Sequence, residues 1–285
     1  MRIVIDLAAQ RLDLFDGETL ACSYPVSTAA RGAGERKGSF QTPRGLHIIR
    51  AKIGAGLPSG AVLKGRRATG EICTPELQAA NPERDWILSR ILWLSGTQAG
   101  FNRLGEVDTM ARYIYLHGTP DSEPMGIPAS HGCVRMRNAD LIALFDRVAP
   151  GTEVLIEDAS LPPQWVVCTW SQARAALLEH GIAICADHRN SSSHHLLQWD
   201  RSGQLIAYAR LTREGLLEGL CGALDAGLLA QAFGLAREHG WFELRALADP
   251  SQHAFLMDAG FMPRGDALPE TGLQAFRCFL PQESD

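Results

Sequence analysis

One cysteine and two histidines, in a stretch rich in glycine, are the residues of this chain whose types and spacing could do chemistry. His117 ends a run of alternating residues, and His131 and Cys133 follow it closely in the sequence. A cysteine attacks as a thiolate, and a neighbouring histidine can take the thiol proton. We therefore expect an acyl-transfer site in which Cys133 is the nucleophile and His117 the general base. The sequence does not decide the role of His131, which could orient the substrate, assist the oxyanion or brace the loop.

The residues beside these three could bind substrate or stabilise an oxyanion. Gly118 and Gly132 let the backbone and a substrate approach closely, and the amides of Gly132 and Cys133 are candidate donors to an acyl-transfer oxyanion. Ser130 is expected to shape the loop. Arg135 could hold a substrate carboxylate or form a structural ion pair, and the sequence does not decide between these roles.

The order of these residues resembles the signature of the L,D-transpeptidase (YkuD) family. The matching residues are His-Gly-Thr at 117–119 and Ser-His-Gly-Cys-Val-Arg at 130–135, and residues 2–7, 24–28 and 37–45 are also similar to family segments. The resemblance covers roughly residues 1–157. It implies a mainly β catalytic domain with a cysteine nucleophile that acts on peptidoglycan stem peptides.

The resemblance also implies a reaction. Cys133 would attack the carbonyl at the L-centre of diaminopimelate in a tetrapeptide or muropeptide, and D-Ala would leave. Water would then make the protein an L,D-carboxypeptidase, whereas an amine acceptor would make it a transpeptidase that forms 3-3 crosslinks. A third alternative is a non-catalytic muropeptide-binding module. Because the first residues are typical of a strand and not of a signal peptide, we favour the carboxypeptidase, in cytoplasmic muropeptide recycling.

Composition narrows the partners and the compartment. The net charge of −5 argues against nucleic acid, and no apolar run reaches the roughly 20 residues that a membrane span needs. The 7 cysteines are an odd number without a C-x-x-C pair, which is typical of reduced thiols and favours the cytoplasm. The Cys-His set lacks a fourth ligand, so we expect neither a metal nor another cofactor.

Strands and one helix are expected to position the candidate site. The sequence predicts strands over residues 2–7, 11–15, 20–28, 46–50, 86–94, 112–116 and 153–156. It predicts a hairpin turn at residues 15–18, a glycine-rich loop over residues 51–85, and a helix over residues 138–148 that Asn138 caps. His117 would then lie at the end of a strand, where active-site groups are often found.

The pattern changes after residue 157. Residues 158–164 are polar, end in two prolines and are predicted to be a linker. Beyond them the sequence predicts helices over residues 171–180 (capped by Ser171), 223–239 and 252–259, and strands over residues 182–186, 205–211, 243–248 and 274–280. Residues 187–195, which include His194 and His195, are predicted to be a polar, solvated loop.

The later part of this α+β region, with the long helix, the strand that begins at Glu243 and residues 254–265, resembles the C-terminal part of GNAT-type N-acetyltransferases in the order of its elements. Residues 218–223, Glu-Gly-Leu-Cys-Gly-Ala, depart from the family's pyrophosphate loop, with an acidic residue and misplaced glycines. Acetyl-CoA binding is therefore not expected, and a structural or substrate-positioning role is favoured. The predicted fold is a mainly β L,D-transpeptidase (YkuD-like) domain over residues 1–157, the linker, and an α+β GNAT-like domain over residues 165–285.

Overall fold

The chain divides into two compact units, Met1–Pro162 and Pro163–Asp285. The computed structural model describes residues 1–158, 164–182, 190–200, 204–222 and 224–280. Most of the predicted linker, residues 159–163, lies outside the described residues. In the described part of the chain, no helix has the length and the apolar character that crossing a membrane requires.

The first unit is mainly β, which confirms the predicted class. Its strands are β1 (Arg2–Asp6), β2 (Arg11–Asp16), β3 (Thr19–Pro25), β4 (Gly45–Ile53), β5 (Ala61–Lys64), β6 (Arg67–Ile72), β7 (Ile87–Gly96), β8 (Tyr115–Gly118), β9 (Val134–Met136) and β10 (Glu153–Glu157). Its helices are α1 (Pro75–Ala79) and α2 (Asn138–Arg147). The sheet runs β3-β2-β1-β10-β4-β7-β5-β6, and β8 pairs with both β7 and β9.

Alternating side chains give this sheet a buried face. Ile3 and Ile5 of β1 lie in the same core as Leu116 of β8, and all three are fully buried. Leu144 and Phe145 on the apolar stripe of α2 pack into this core. Packing against α2 therefore fixes which side chains of β8 face the main core and which face away from it.

A hairpin occupies part of the stretch predicted to be a loop, and that prediction is wrong. Strands β5 and β6 pair up to Lys64 and Arg67, joined by Gly65 and Arg66, whose φ angles are +56° and +67°. Two successive positive φ angles are typical of a tight hairpin turn whose twist matches the strands. Glycine at the first turn position accepts this backbone without strain, but arginine at the second is uncommon, so the sequence signal is weak.

The elements around the candidate site also differ from the prediction in detail. Arg137, not Asn138, is the N-cap residue of α2, since the Asn138 side chain is used elsewhere. Strand β8 begins at Tyr115, three residues later than predicted, because Tyr113 has a φ of +58° and cannot continue an extended strand. His117 still lies next to the end of the strand.

The second unit is α+β, which confirms its predicted class. Its elements are β11 (Gln164–Cys168), α3 (Trp170–Glu179), β12 (His194–Trp199), β13 (Leu205–Leu211), β14 (Leu216–Gly222), α4 (Ala226–Glu238), β15 (Glu243–Ala248), α5 (His253–Asp258), β16 (Met262–Arg264) and β17 (Gln274–Phe279). The sheet order is β11-β12-β13-β14-β15-β17-β16, and α4 connects the parallel pair β14 and β15.

Two predictions for the second unit are wrong. His194 and His195 begin β12, and His195 is fully buried, with Nδ1 2.9 Å from the hydroxyl of Tyr208. The cap of α3 is Thr169, which forms a capping box with Gln172, so Ser171 lies inside the helix. A run of polar residues suggests a loop when the sequence does not show the distant partners that bind their hydrogen-bonding groups. The predicted strand over residues 182–186 falls almost entirely outside the described residues.

Candidate active site

The candidate general base lies on the face of β8 that is turned away from the main core. Side chains alternate along a strand, so Tyr115 and His117 share one face while Leu116 packs into the core on the other. His117 is almost fully buried, and its Nδ1 lies 2.9 Å from the carbonyl oxygen of Gly118. A carbonyl only accepts hydrogen bonds, so Nδ1 carries the proton and Nε2 keeps its lone pair.

Packing requires a glycine at position 118. A Cβ atom at this position would lie 2.3 Å from Oδ1 of Asn138 and 2.7 Å from the carbonyl oxygen of Leu88. Asn138 is fixed there because its amide donates to Thr119 over 2.9 Å and its Oδ1 accepts from Ser89 over 2.5 Å. This explains why a glycine follows the histidine.

The candidate nucleophile lies against the same face of β8. Cys133 is half-buried, and its sulfur accepts from the Tyr115 amide at 3.4 Å and donates to the Tyr113 carbonyl at 3.5 Å. It packs with Tyr115 and Ile91, and Ile91 is the β7 residue paired with His117. The strand register therefore brings the thiol and the imidazole to one face of the sheet.

Burial disfavours the charged form of both groups. Burial raises the pKa of the Cys133 thiol to about 12; the hydrogen bond from the Tyr115 amide is the largest opposing effect, Asp85 adds to the rise, and Arg135 and Arg112 lower the pKa by less. Burial lowers the pKa of His117 below its ordinary value of 6.5, against smaller opposing effects of Gly118 and Asp85. Both shifts favour a thiol beside a neutral imidazole over an ion pair of thiolate and imidazolium.

Ser130 and Gly132 shape the loop that presents the nucleophile. Ser130 is buried, and its hydroxyl donates to the Cys133 carbonyl at 2.6 Å and accepts from the Gly132 amide at 3.2 Å. Gly132 has a φ of +132°, which residues other than glycine rarely adopt. Its carbonyl accepts from the hydroxyl of Thr42 at 3.0 Å.

The two predicted oxyanion donors are not equivalent. The Gly132 amide already donates to Ser130, whereas the Cys133 amide has no acceptor within the described residues. An oxyanion formed at Cys133 can therefore accept a hydrogen bond directly from the Cys133 amide. It can accept one from the Gly132 amide only if that amide is shared with Ser130.

Arg135 is held by carboxylates of this chain. Its guanidinium lies 3.2 Å from Asp85 and 3.1 Å from Glu123, and its side chain is 9% exposed. This geometry favours the structural ion pair over the substrate clamp. In β9 Arg135 pairs with His117, so the two ion pairs also secure the strand beside the base.

His131 contrasts with the other predicted residues because it is exposed. Its side chain makes no hydrogen bond within the described part of the chain. The structure thus brings Cys133, Ser130 and Gly132 together in one loop, with His117 on the adjoining strand face, and leaves His131 at the surface.

Several residues of the site were not predicted. Thr42 lies in the segment 37–45 whose similarity to family segments could have identified it. The partners of Arg135 lie 12 and 50 residues away in sequence, so no local pattern reveals them. A group of three aromatic residues beside the thiol, Trp93, Tyr113 and Tyr115, together with the Arg66 guanidinium that contacts them, was not predicted either. Among the described residues, no three His, Cys, Asp or Glu side chains are grouped to hold a metal ion.

In the second unit, the N-terminus of α4 is occupied by a carboxylate of the chain itself. Asp225 caps the helix, and its Oδ1 accepts from the amides of Gly227 and Leu228 at 2.9 and 3.2 Å. Trp165 and Gln198 donate to the same carboxylate at 2.7 and 2.6 Å. These amides are the ones that a helix N-terminus would otherwise offer to an anionic ligand.

A protein-family model matches the first half of the chain. The family model of the L,D-transpeptidase catalytic domain, YkuD, matches residues 1–156, so the chain belongs to the L,D-transpeptidase family. YqjB of Bacillus subtilis, named as an L,D-transpeptidase, is 41% identical over 59 residues, 21% of this chain and 32% of that protein. YbiS of Escherichia coli K12, named likewise, is 43% identical over 49 residues, 17% of this chain and 16% of that protein.

Two solved structures are each similar to part of the chain. An L,D-transpeptidase from Mycobacterium smegmatis is 18% identical with a TM-score of 0.33, and the match covers 54% of this chain and 57% of that one. A structure from Lactobacillus plantarum described as an N-acetyltransferase is 16% identical with a TM-score of 0.34, and the match covers 42% of this chain and 100% of that one. The matched stretches of the two curated relatives span a third of their length or less.

Proposed function

We propose that this protein is a cysteine acyl-transfer enzyme that cleaves the bond between diaminopimelate and D-Ala in peptidoglycan tetrapeptides. In the favoured form water resolves the acyl-enzyme, and the protein is an L,D-carboxypeptidase that trims recycled muropeptides. The alternative is a transpeptidase that passes the acyl group to an amine and forms a 3-3 crosslink. The observation that carries the proposal is the position of the Cys133 thiol on the strand face of His117, whose Nδ1 donates to a backbone carbonyl and so leaves Nε2 to accept a proton.

Acylation begins when the Cys133 sulfur attacks the carbonyl carbon at the L-centre of diaminopimelate. The thiol proton passes to Nε2 of His117 as the carbon–sulfur bond forms, because the raised pKa of the thiol makes prior ionisation costly. The Cys133 amide donates to the developing oxyanion. The carbon–nitrogen bond then breaks, and His117 returns its proton to the amine of the leaving D-Ala.

Deacylation uses the same base. Water enters the site vacated by D-Ala, gives a proton to Nε2 of His117 and attacks the thioester carbon. The thiolate of Cys133 leaves and is reprotonated by His117, so the tripeptide is released and the enzyme is restored. An incoming amine would take the place of water in the transpeptidase.

A reducing compartment is part of the proposal. The described cysteines are all free thiols: Cys22, Cys73, Cys133, Cys168, Cys221 and Cys278. Free thiols persist where glutathione and thioredoxin keep them reduced, which supports the cytoplasm. Muropeptides recovered for reuse would meet the enzyme there, whereas crosslinking would require an acceptor in the wall.

The second unit is proposed to have no acetyltransferase activity. The Asp225 carboxylate already accepts from the first amides of α4, and a phosphate placed there would meet a like charge. Saturating acetyl-CoA should leave the melting temperature of the full chain unchanged. A rise that depends on acetyl-CoA concentration would show that the unit binds it.

The test of the proposed function is mass spectrometry of free tetrapeptide and disaccharide-tetrapeptide incubated with the purified protein. We expect release of D-Ala and accumulation of tripeptide, absent with Cys133→Ala and retained with Cys73→Ala, which removes another half-buried free thiol. Crosslinked dimers, or exchange of D-Ala for another D-amino acid, would establish the transpeptidase. No turnover of either substrate would favour the binding module.

A further inference from the structure

Positively charged side chains near Cys133 differ in how many of their donors already bind acceptors of this chain. Arg135 is committed to Asp85 and Glu123 at 3.2 and 3.1 Å, and it is buried against them. A substrate carboxylate would have to displace one of these partners, at the cost of leaving a carboxylate of the chain unpaired. Arg135 is therefore poorly suited to bind a substrate anion.

Arg112 is equally committed, although to uncharged groups. Its two terminal nitrogens donate to three backbone carbonyls and one hydroxyl, those of Gly34, Glu35, Gln41 and Ser39. This guanidinium braces the loop that precedes β4. Binding a substrate anion there would require breaking the loop contacts first.

Arg66 is different because no carboxylate pairs with it in the part of the chain that the structure describes. It lies in the turn between β5 and β6, and its guanidinium carbon is 4.8 Å from the centroid of the Trp93 ring and 5.0 Å from that of Tyr113. Its Nη1 donates to the hydroxyl of Tyr115 at 3.1 Å. The side chain is only half-buried, so its remaining donors are open to solvent.

The aromatic residues hold this guanidinium in a fixed place. Trp93 stacks on Tyr113 with ring centroids 6.2 Å apart and meets Tyr115 edge-on at 6.1 Å. The Trp93 indole is itself fixed by a hydrogen bond of 3.3 Å to the carbonyl of Met110. A stacked guanidinium loses little conformational freedom when it binds an anion, and it presents a planar fork that suits a carboxylate.

One tyrosine connects this guanidinium to the nucleophile. The backbone amide of Tyr115 donates to the Cys133 sulfur at 3.4 Å, and the far end of the same residue accepts from Arg66. The thiol and the guanidinium thus contact opposite ends of one tyrosine. An anion bound by Arg66 would belong to a part of the substrate well removed from the carbonyl that the sulfur attacks.

We propose that Arg66 recognises the side-chain carboxylate of diaminopimelate in the donor peptide and so selects donors that carry this charge. The inference rests on the proposed function and adds a specificity residue to the same site. The terminal carboxylate of D-Ala is close to the scissile carbonyl, whereas the side-chain carboxylate of diaminopimelate is at the end of an extended chain. The separation of Arg66 from the thiol therefore suits the second group.

The experiment measures peptide binding to the Cys133→Ala chain, which cannot turn the peptide over. Three tetrapeptides are compared by calorimetry: the natural one, one with the diaminopimelate side-chain carboxyl converted to an amide, and one with the D-Ala carboxyl converted to an amide. We expect the side-chain amide to bind about tenfold to a hundredfold more weakly, since one charge-assisted hydrogen-bonded pair is lost. Amidation of D-Ala should have a smaller effect.

Substitutions in the turn assign this preference to one residue. In the Cys133→Ala background, Arg66→Gln should bind the natural peptide and its side-chain amide equally. The matched control is Arg67→Gln, which removes the exposed neighbouring guanidinium and should retain the preference. Because Arg66 has a φ of +67°, Arg66→Asn is a second variant that suits the turn, and it should also lose the preference.

Several outcomes would overturn the inference. These are equal binding of the natural peptide and its side-chain amide to the Cys133→Ala chain, a preference retained by both Arg66 variants, and a larger effect of D-Ala amidation. Turnover by the unmodified protein reports separately on the proposed function. A binding preference that depends on Arg66, without any turnover, would support the recognition site and contradict the enzyme.

Discussion

The His117 ring is fixed by the carbonyl of its own neighbour. Nδ1 donates to the carbonyl of Gly118 over 2.9 Å, and burial lowers the pKa of the ring. Catalytic triads usually recruit a third side chain to set the tautomer, but here the backbone does so. The state of the base thus depends on local geometry and on exclusion of water.

The first prediction concerns this base. His117→Gln should reduce kcat/KM for tetrapeptide by about a hundredfold to ten-thousandfold, the usual effect of removing a general base. In the unmodified chain kcat/KM should fall with decreasing pH, with a midpoint below the ordinary histidine value of 6.5, because the neutral ring is the active form. The measurement is the pH profile of D-Ala release.

The control for this prediction is a histidine of the second unit. His180→Gln, at the end of α3, should leave both the rate and the pH profile unchanged. A midpoint above pH 6.5, or a His117→Gln chain with undiminished activity, would contradict the assignment of the base.

Gly118→Ala should destabilise the first unit. The new Cβ atom would lie 2.3 Å from Asn138 Oδ1 and 2.7 Å from the carbonyl of Leu88, so a side chain and a backbone segment must both move. Overpacking of this kind costs about 1–3 kcal/mol of the free energy of unfolding. Chemical denaturation of the full chain measures it, and a change of less than about 0.5 kcal/mol would mean that the site relaxes easily.

At the scale of residues, the sequence predicted which neighbouring residues lie together but not which distant residues bind them. That Cys133, Ser130 and Gly132 share one loop beside His117 could be predicted from residue types in a short stretch. The ion pairs of Arg135 with Asp85 and Glu123 were not, because folding brings these residues together from separate segments. The commitment of the Gly132 amide to Ser130 was equally hidden, since it depends on the shape of one loop.

At the scale of elements, β7 organises the first unit. It pairs with β4, β5 and β8, so it joins the main sheet to the hairpin that carries Arg66 and to the strand that carries His117. Its apolar run made it predictable from sequence. The β5–β6 hairpin was not predictable, because its glycines hide the short apolar segment of β5 that pairs with β7.

Two glycines of helix α4 should respond differently to substitution by alanine. Gly234 lies inside the helix, and a Cβ atom added there meets nothing within 4 Å. Gly234→Ala should therefore raise the free energy of unfolding of the second unit by about 0.5–1 kcal/mol, because alanine loses less backbone entropy than glycine in a helix. Denaturant unfolding of the full chain is the measurement.

The matched control is Gly227→Ala in the first turn of the same helix. Its Cβ would lie 3.0 Å from Asp225 Oδ1 and 3.0 Å from a ring carbon of Trp165, so crowding opposes the gain in propensity. If both variants stabilised the chain equally, the packing at the N-terminus of α4 would be looser than described.

At the scale of the whole molecule, a buried histidine predicts how stability changes with pH. His47 is almost fully buried, with its nitrogens 2.9 Å from the Gly45 carbonyl and 3.1 Å from the Thr109 hydroxyl, and burial lowers its pKa to about 4. The unfolded chain binds this proton near pH 6.5, so the contribution is complete above that pH and lost as the pH falls towards 4. The loss amounts to about 3 kcal/mol.

A variant isolates this contribution from those of other groups. His47→Gln should lose about 3 kcal/mol less than the unmodified chain between pH 6.5 and pH 4, because glutamine does not titrate. His131→Gln, at an exposed position, should keep the full pH dependence of stability. Denaturant unfolding at several pH values measures the difference, and identical slopes for the His47→Gln chain and the unmodified chain would contradict the burial argument.

The two-unit organisation was partly visible in the sequence. The change from strand alternation to mixed helix and strand patterns predicted a mainly β half and an α+β half, and both classes are confirmed. Strand β12 was missed because His194 and His195 look like solvated residues until the partners of His195 are known. Burial of polar residues is decided by the whole unit, and a local pattern does not report it.

The central claim is that Cys133 forms the covalent intermediate, and trapping that intermediate is the most direct test. The protein is mixed with tetrapeptide, quenched in acid within one turnover, digested with protease and mapped by mass spectrometry. The account predicts a tripeptide thioester on Cys133 that is absent from the Cys133→Ala chain and accumulates more slowly with His117→Gln. An adduct on another residue, or D-Ala release that persists in Cys133→Ala, would contradict it.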